Sequence, residues 1–428
     1  MRKETRYNMK RLLSFNTIKK YSPLGGWGAL FLVLFSCTSD DDNTPDRHLP
    51  ITFSCYDGGE ITRASEVSLS EYITDFKVYG INGDISGSGN EATFVKKNTV
   101  FPNYQVWHTE NMANTTSTNT SNWEYVGTAM DGEEQTIKYW DEKHVGHYFW
   151  AIGNYSKRGG YNFTESTLPN VIEVDGLTQE DILDDSKCLY FTKPEYVDRE
   201  DYGNPVKLSF MRYCSRIRIG FYEDIAQHVE GDKHMKVTAV NFYKLKADGS
   251  SFNTNQMPTT TVCLKGKYVS SGKATLTYSN ASFKGVGYVD DVETETIPAK
   301  NGTFKGMEFG VLNIAGTQSG VLPTSSSQAL FTTLENGEQY TRVMPYNNEE
   351  GLTLECDIVV RNQNESQYTQ QYVLASIPAH YTNWKPNQSY TYIFKIVTTP
   401  DGAAIILANV EVESWGSDGF MEEEWHNW

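Results

Sequence analysis

The chain has 428 residues, a length that suggests two or three domains, each able to bury a core without a metal or disulfide staple. At 39% hydrophobic and 21% charged residues the composition is that of a soluble globular protein and argues against a polytopic membrane protein. A formal charge of -17, from 37 basic and 54 acidic residues, excludes a general nucleic-acid binder, because phosphate contacts need basic surface. Aromatic residues reach 13%, with 27 Tyr, 20 Phe and 9 Trp, and together with plentiful Thr and Val they lean the chain toward β-structure.

Residues 1–36 read as a lipoprotein signal peptide. Arg2, Lys3, Arg6, Lys10, Arg11, Lys19 and Lys20 are opposed only by Glu4, and the apolar run Leu24 to Ser36 then has the length of a signal-peptide core rather than of a bilayer span. The run ends on Leu34-Phe35-Ser36-Cys37, which resembles a bacterial lipobox. Cleavage would fall between Ser36 and Cys37, and the Cys37 thiol would carry diacylglyceryl, with palmitate as the expected acyl chain. Thr38-Ser39-Asp40-Asp41-Asp42 follows, in an acidic tether over 37–49 that resembles the surface-export signal of Bacteroidetes lipoproteins. Loss of seven basic residues and one acid takes the mature charge to -23. Five cysteines then remain, Cys55, Cys188, Cys214, Cys263 and Cys356. An odd count with no C-x-x-C signals neither a zinc site nor a disulfide framework; one long-range pair is open to them, and buried thiols are the simpler expectation.

The body reads as strands of period two. Ile51, Phe53 and Cys55 alternate with Thr52 and Ser54; Val206, Leu208 and Phe210 alternate with Lys207 and Ser209. Ile217, Ile219 and Phe221 continue the pattern between Arg216 and Arg218, and Tyr390, Tyr392, Phe394 and Ile396 share one face. In the last run Ile406, Ala408, Val410 and Val412 point inward, and Asn409, Glu411 and Glu413 outward. Helix is scarce, with one or two turns predicted over Thr178 to Asp185 and Thr178 as the cap. Such a pattern fits an all-β protein of sandwich type. The charged, Gly-bearing stretch Asp198 to Asn204 before Pro205 marks the boundary between two domains, 50–204 and 205–428.

Catalytic motifs are missing from the sequence: there is no G-x-S-x-G, H-E-x-x-H, P-loop or G-x-G-x-x-G, and no cofactor or metal is called for. His144 and His147 form an H-x-x-H, but on a strand that spacing points the rings to opposite faces. The aromatics could stack on sugar rings or fill sandwich cores, and the second use is favoured.

Five segments in order resemble the fimbrillin-like family, the type V pilus subunits of Bacteroidales. They are the first strand ITFSC leading to Thr62-Arg63-Ala64 and FKVYG; Ile137-Lys138-Tyr139-Trp140-Asp141 followed by Tyr148-Phe149-Trp150-Ala151; VKLSFMRYCSRIRI; Trp384-Lys385-Pro386-Asn387-Gln388-Ser389-Tyr390; and Val410-Glu411-Val412-Glu413-Ser414-Trp415. Asp141 and Arg212 depart from the family's usual Pro and His. The resemblance implies two tandem transthyretin-like, Greek-key β-sandwich domains, exported as a lipoprotein to the outer face of the outer membrane. It also implies cleavage after Arg63, before Ala64, by an arginine-specific protease, departure of the first strand, and replacement by a terminal strand of another subunit, with Ile406, Ala408, Val410 and Val412 as the donated face. Partners would be the outer membrane through the lipid, other fimbrial subunits, and host or bacterial surface ligands, with no nucleic acid. The alternative is a surface glycan-binding lipoprotein that does not polymerise; a hydrolase on a β-sandwich is the third reading.

Overall fold

A computed structural model describes residues 49–57, 72–88, 92–108, 122–154, 163–164, 171–224, 241–243, 261–278, 283–284, 287–288, 292–311, 323–332, 338–361, 368–399 and 402–415. Almost all of them are strand or turn. The principal strands are β1 (Phe53–Asp57), β2 (Asp75–Ser86), β3 (Thr93–His108), β4 (Gly146–Gly153), β5 (Val171–Thr178), β6 (Tyr190–Thr192), β7 (Val206–Arg212) and β8 (Ser215–Asp224). They continue as β9 (Thr261–Tyr278), β10 (Val292–Val311), β11 (Leu352–Arg361), β12 (Tyr368–Ile377), β13 (Gln388–Thr399) and β14 (Gly402–Ser414).

Three large sheets result. The first runs β1-β7-β6-β4-β2-β3 and ends on Trp123–Glu124. The second runs Leu330–Phe331, β8, β13, β14. The third runs Asn241–Tyr243, β11, β9, β5, Phe163–Thr164, with β10 also on β9 and β12 also on β11. Period-two alternation explains how they cover one another. Val206, Leu208 and Phe210 are buried while Lys207 is exposed, and Ile217, Ile219 and Phe221 are buried on β8.

Two apolar cores form between these layers. The first joins the first sheet to the β5 side of the third, with Phe53, Phe76, Phe149 and Leu208 against Ile172, Val174, Ala274 and Leu276. The second joins the second sheet to the β11–β12 side, with Ile219, Tyr392 and Phe394 against Leu354, Ala375 and Ile377. The third sheet therefore serves both. Its hairpin β9–β10 is long enough to do so and bends through register shifts, one of them at Gly266, whose φ of +148° an L side chain rarely adopts.

The division between cores does not fall at Asp198–Asn204. That stretch caps a short 3-10 turn, Arg199–Asp201, and β7 beyond it stays in the first sheet with its side chains in the first core. The change of core comes between Cys214, in the first, and Ile217, in the second, and β9 later returns to the first. A charged turn with Gly and Pro has the same composition inside a domain as between two, and the sequence carries no mark of which sheet the next strand joins. The predicted helix is present as α1 (Gln179–Leu183), with a capping box in which Thr178 Oγ1 accepts from the Asp181 amide at 3.2 Å and the Asp181 carboxylate accepts from the Thr178 amide at 3.1 Å.

Phe53 is the hub of the first core. Its ring meets Phe76, Phe101, Tyr125 and Phe149 edge-on at 5.4–6.1 Å between centroids. Phe53→Ala should therefore cost about 3–5 kcal/mol, read as a lower urea midpoint at unchanged slope. A loss under about 1 kcal/mol would show that the ring does not carry the core.

Candidate assembly surfaces

The first surface is the place held by β1. This strand closes one end of the first sheet and pairs with β7 in parallel, Phe53 against Val206 through Asp57 against Phe210. The residues before it are tied to the Lys138-Tyr139-Trp140 segment: the Ile51 amide donates to the Lys138 carbonyl at 2.9 Å, and the Trp140 amide to the Leu49 carbonyl at 3.0 Å. The Tyr125 hydroxyl donates to the Ile51 carbonyl at 2.9 Å. Ile51, Phe53 and Cys55 are 0–1% exposed, so the predicted inward face is the observed one. Among the described residues, a short end strand thus plugs a deep core through a single ladder. Ser36, Cys37, Arg63 and Ala64 lie outside the described residues.

The second surface surrounds β14. It pairs antiparallel with β13 from Gly402–Thr399 to Ser414–Gln388, and one register shift interrupts the ladder: Asn409 faces Ile393, Leu407 faces Phe394, and Ala408 is skipped. That bulge corrects the expected alternation. Val410, opposite the buried Tyr392, packs on the second core as expected, Val412 lies opposite Tyr390 but outside that core, and before the bulge the core face holds Ile405 and Leu407. Ile406 is 48% exposed, and Val412, at the strand's outer end, is 41% exposed.

β14 and β12 are end strands of the second and third sheets, and a groove of about 460 Å³ runs between them. Leu374, Ala375, Pro378 and Tyr381 line one wall and Ile405 to Val410 the other. Leu374 is 53% exposed beside it. Apolar side chains next to strand edges are the features that invite a further strand.

The far end of β14 is fixed by charge. Trp415 sits among three guanidinium groups, with Arg212, Arg216 and Arg342 carbons 4.9, 4.8 and 5.5 Å from the ring centroid. Asp185 lies 2.9 Å from Arg342 and 3.7 Å from Arg212. The Trp415 amide donates to the Asn387 carbonyl at 2.7 Å, and the Asn387 amide to the Cys214 carbonyl at 3.1 Å. Asn387 takes a φ of 58°, which Asn tolerates better than most residues. Trp384 Nε1 donates to the Tyr392 hydroxyl at 2.9 Å, so the W-K-P-N-Q-S-Y segment is a folded corner that receives the V-E-S-W end. The alternation of Arg216 and Arg218 could have been read only as a solvated face; nothing in it signals an indole clamp.

The H-x-x-H pair is split, but not by the two faces of one strand, because only His147 lies on a strand. His144 lies in a turn 3.2 Å from Asp84, and His147 is buried on β4 with Nδ1 2.8 Å from the Tyr202 hydroxyl. Among the described residues no cluster of three or more His, Cys, Asp or Glu is placed to hold a metal. Among the residues whose burial is described, the exposed aromatic rings are Tyr139 and Tyr372.

No protein-family model and no curated protein matches this chain. Solved structures similar to it include a fimbrial protein from Bacteroides vulgatus ATCC 8482, at 13% identity and a TM-score of 0.44, over 86% of this chain and 99% of that one. Another is a fimbrial assembly protein from Parabacteroides distasonis ATCC 8503, at 10% identity and a TM-score of 0.28, over 80% of this chain and 92% of that one. Likeness at this level does not carry function from those proteins to this one.

Burial pulls the His147 pKa down to about 4, because the imidazolium would have to give up water in the core. Its folded pKa is below the unfolded value near 6.5, so the unfolded chain gains the proton first and stability falls as pH drops from about 6.5 to 4, by at most about 3 kcal/mol. Buried Glu124, pushed up to about 7, works in the opposite direction, losing stability as pH rises from about 4.5 to 7. The His147 contribution is isolated by comparison with His147→Gln, whose urea stability should decline less between pH 6.5 and 4.5. Parallel curves would refute a neutral buried His147.

Proposed function

We propose that this chain is a cell-surface fimbrial or adhesin-like subunit: a lipoprotein attached to the outer membrane through Cys37, which assembles by strand exchange after cleavage between Arg63 and Ala64. The observation that carries this reading is the placement of β1, a short end strand that among the described residues pairs in one parallel ladder and whose Ile51, Phe53 and Cys55 fill the first core. Arg63 lies between β1, which ends at Asp57, and β2, which starts at Asp75. A cut there leaves β1 attached to the body by non-covalent contacts alone. Its departure would uncover the β7 edge and apolar pockets, where each refilled large side chain is worth roughly 1.5–3 kcal/mol, so an incoming strand is strongly favoured.

The donor in this reading is β14 of another copy. Its sequence alternates without interruption over Ile406, Ala408, Val410 and Val412, and the bulge that splits this face belongs to the ladder with β13. In an unbulged ladder all four residues fall on one side. Ile406, half exposed in its own sheet, would then be buried in the neighbour.

Trypsin nicking of the purified chain beginning at residue 37 is expected to give SDS-resistant ladders whose subunits start at Ala64. Ile406→Asp separates the two environments of β14. The substitution should change monomer stability by no more than about 0.5 kcal/mol, because the site is exposed, yet it should abolish the ladder by burying a charge in the donated strand. Ladders of normal length from Ile406→Asp would remove β14 as the donor. Surface protein that starts only at residue 37 and never forms ladders would remove strand exchange altogether. The lipid link is tested by Cys37→Ala, which should accumulate as a larger, unacylated precursor.

A further inference from the structure

Cys188 and Cys214 stand opposite each other at the end of a strand pair. β6 and β7 run antiparallel with Tyr190 against Arg212, and the Tyr213 amide donates to the Leu189 carbonyl at 2.7 Å, so the ladder continues past the last strand residues. Two residues outward from the Tyr190–Arg212 pair, the same register brings Cys188 against Cys214. The hydrogen bond at Leu189–Tyr213 makes that pair a bonded position and Cys188–Cys214 a non-bonded one, where paired Cα atoms stand about 4.5 Å apart and side chains are closest. A disulfide asks for Cα atoms about 4.4–6.8 Å apart. The two Sγ atoms are 3.6 Å apart, and both residues are fully buried. Closing the bond needs only a small approach of two sulfurs already in contact.

We propose that Cys188 and Cys214 form a cross-strand disulfide that staples the junction between the two cores. Its surroundings give it that role. Cys188 follows α1 directly and donates its amide to the Asp184 carbonyl at 2.8 Å, beside Asp185, which holds Arg342. The Cys214 carbonyl receives the Asn387 amide, to which the Trp415 end of β14 is tied. The bond would therefore lock the corner at which the chain passes from the first core to the second. Cys55, the third cysteine whose side chain is described, lies on β1 opposite Leu208 and has no place in this pair.

The chemistry is thiol–disulfide exchange with a disulfide-bearing oxidant, an envelope oxidoreductase in the cell or glutathione disulfide in the tube. One cysteine thiolate attacks an oxidant sulfur and expels the first oxidant thiolate. The second cysteine thiolate then attacks the mixed disulfide and expels the other. Two thiols of this chain lose their protons and two electrons, and the oxidant leaves as two thiols. Burial holds the Cys214 thiol well above its ordinary pKa, so the exchange belongs to folding, before the core closes. The inference rests on the export proposed above only for its oxidising compartment.

The test begins with the reduced chain carrying Cys37→Ala, refolded in a glutathione redox buffer, alkylated in denaturant without reduction and digested. The expected product is one cross-linked peptide pair joining Cys188 to Cys214, with Cys55, Cys263 and Cys356 alkylated. Alkylation of all five, or a link between other cysteines, overturns the proposal. The oxidised form should melt about 3–5 °C above the reduced form, an increment that Cys188→Ser and Cys214→Ser each remove and Cys55→Ser retains. In the cell, the surface-biotinylated fraction should carry the same link, and a surface fraction with both thiols alkylated overturns it. A chain that forms the link on refolding but stays reduced inside the cell supports the staple and counts against export.

Discussion

The first core depends on a strand that, among the described residues, lies at the end of its sheet. In a two-layer β fold each sheet must cover the other, and the side chains that complete the cover here include those of Ile51, Phe53 and Cys55, at the end of the sheet. Phe53 touches four other aromatic rings, so β1 belongs to the core as fully as any central strand. Its main-chain attachment is that of an edge. The segment before it leans on Lys138-Tyr139-Trp140, and the strand itself rests on β7. High side-chain burial with a single ladder among the described residues makes the site of β1 a socket in the first core.

The second constraint is the shared third sheet. β9 pairs with β5 through residues 271–277 and with β11 through 263–265, so one strand contributes Leu276 to the first core and Leu264 to the second. A strand long enough to do this must bend where the two cores differ in direction, and the register shifts near Gly266 and Gly272 supply the bend. The two cores are consequently not two consecutive lengths of chain. Folding of the first requires residues that follow the first strand of the second.

This explains what the sequence could and could not tell. Alternation placed Ile51, Phe53, Cys55, Val206, Leu208, Phe210, Ile217, Ile219, Tyr390, Tyr392 and Phe394 on inward faces, because a period of two depends only on the local pleat. Thr178 as a helix cap was legible for the same reason, since the capping box is closed within four residues. Partner choice is not local. Nothing in V-K-L-S-F says that it joins the sheet before it rather than the one after it, and nothing in I-I-L-A-N-V says that Ala408 will be skipped by β13. The bulge sits where Ile405 and Leu407 both demand the core face while Val410 demands it too, three apolar positions that a strict alternation cannot satisfy together. The sequence leaves the glycan-binding alternative open because an aromatic side chain looks the same whether it stacks on a sugar or on Phe53.

The junction shows why charge was used at the place where apolar packing would have sufficed. Three arginines converge on Trp415 with Asp185 as the carboxylate among them, and Arg212 is only 6% exposed. Such an arrangement adds little net stability, because the attraction gained is offset by water lost from each ion. It is demanding in geometry, since guanidinium planes and an indole face satisfy one another only in a narrow range of positions. An apolar corner would accept the end of β14 in several registers, which matters for a strand whose even residues 406, 408, 410 and 412 already alternate without its bulge. The clamp on Trp415 and the Trp415 amide on Asn387 hold the end of β14 in the bulged register, in which the strand completes its own sheet. The clamp therefore fixes β14 at the end remote from its half-exposed Ile406, where apolar contacts alone would leave the strand free to shift.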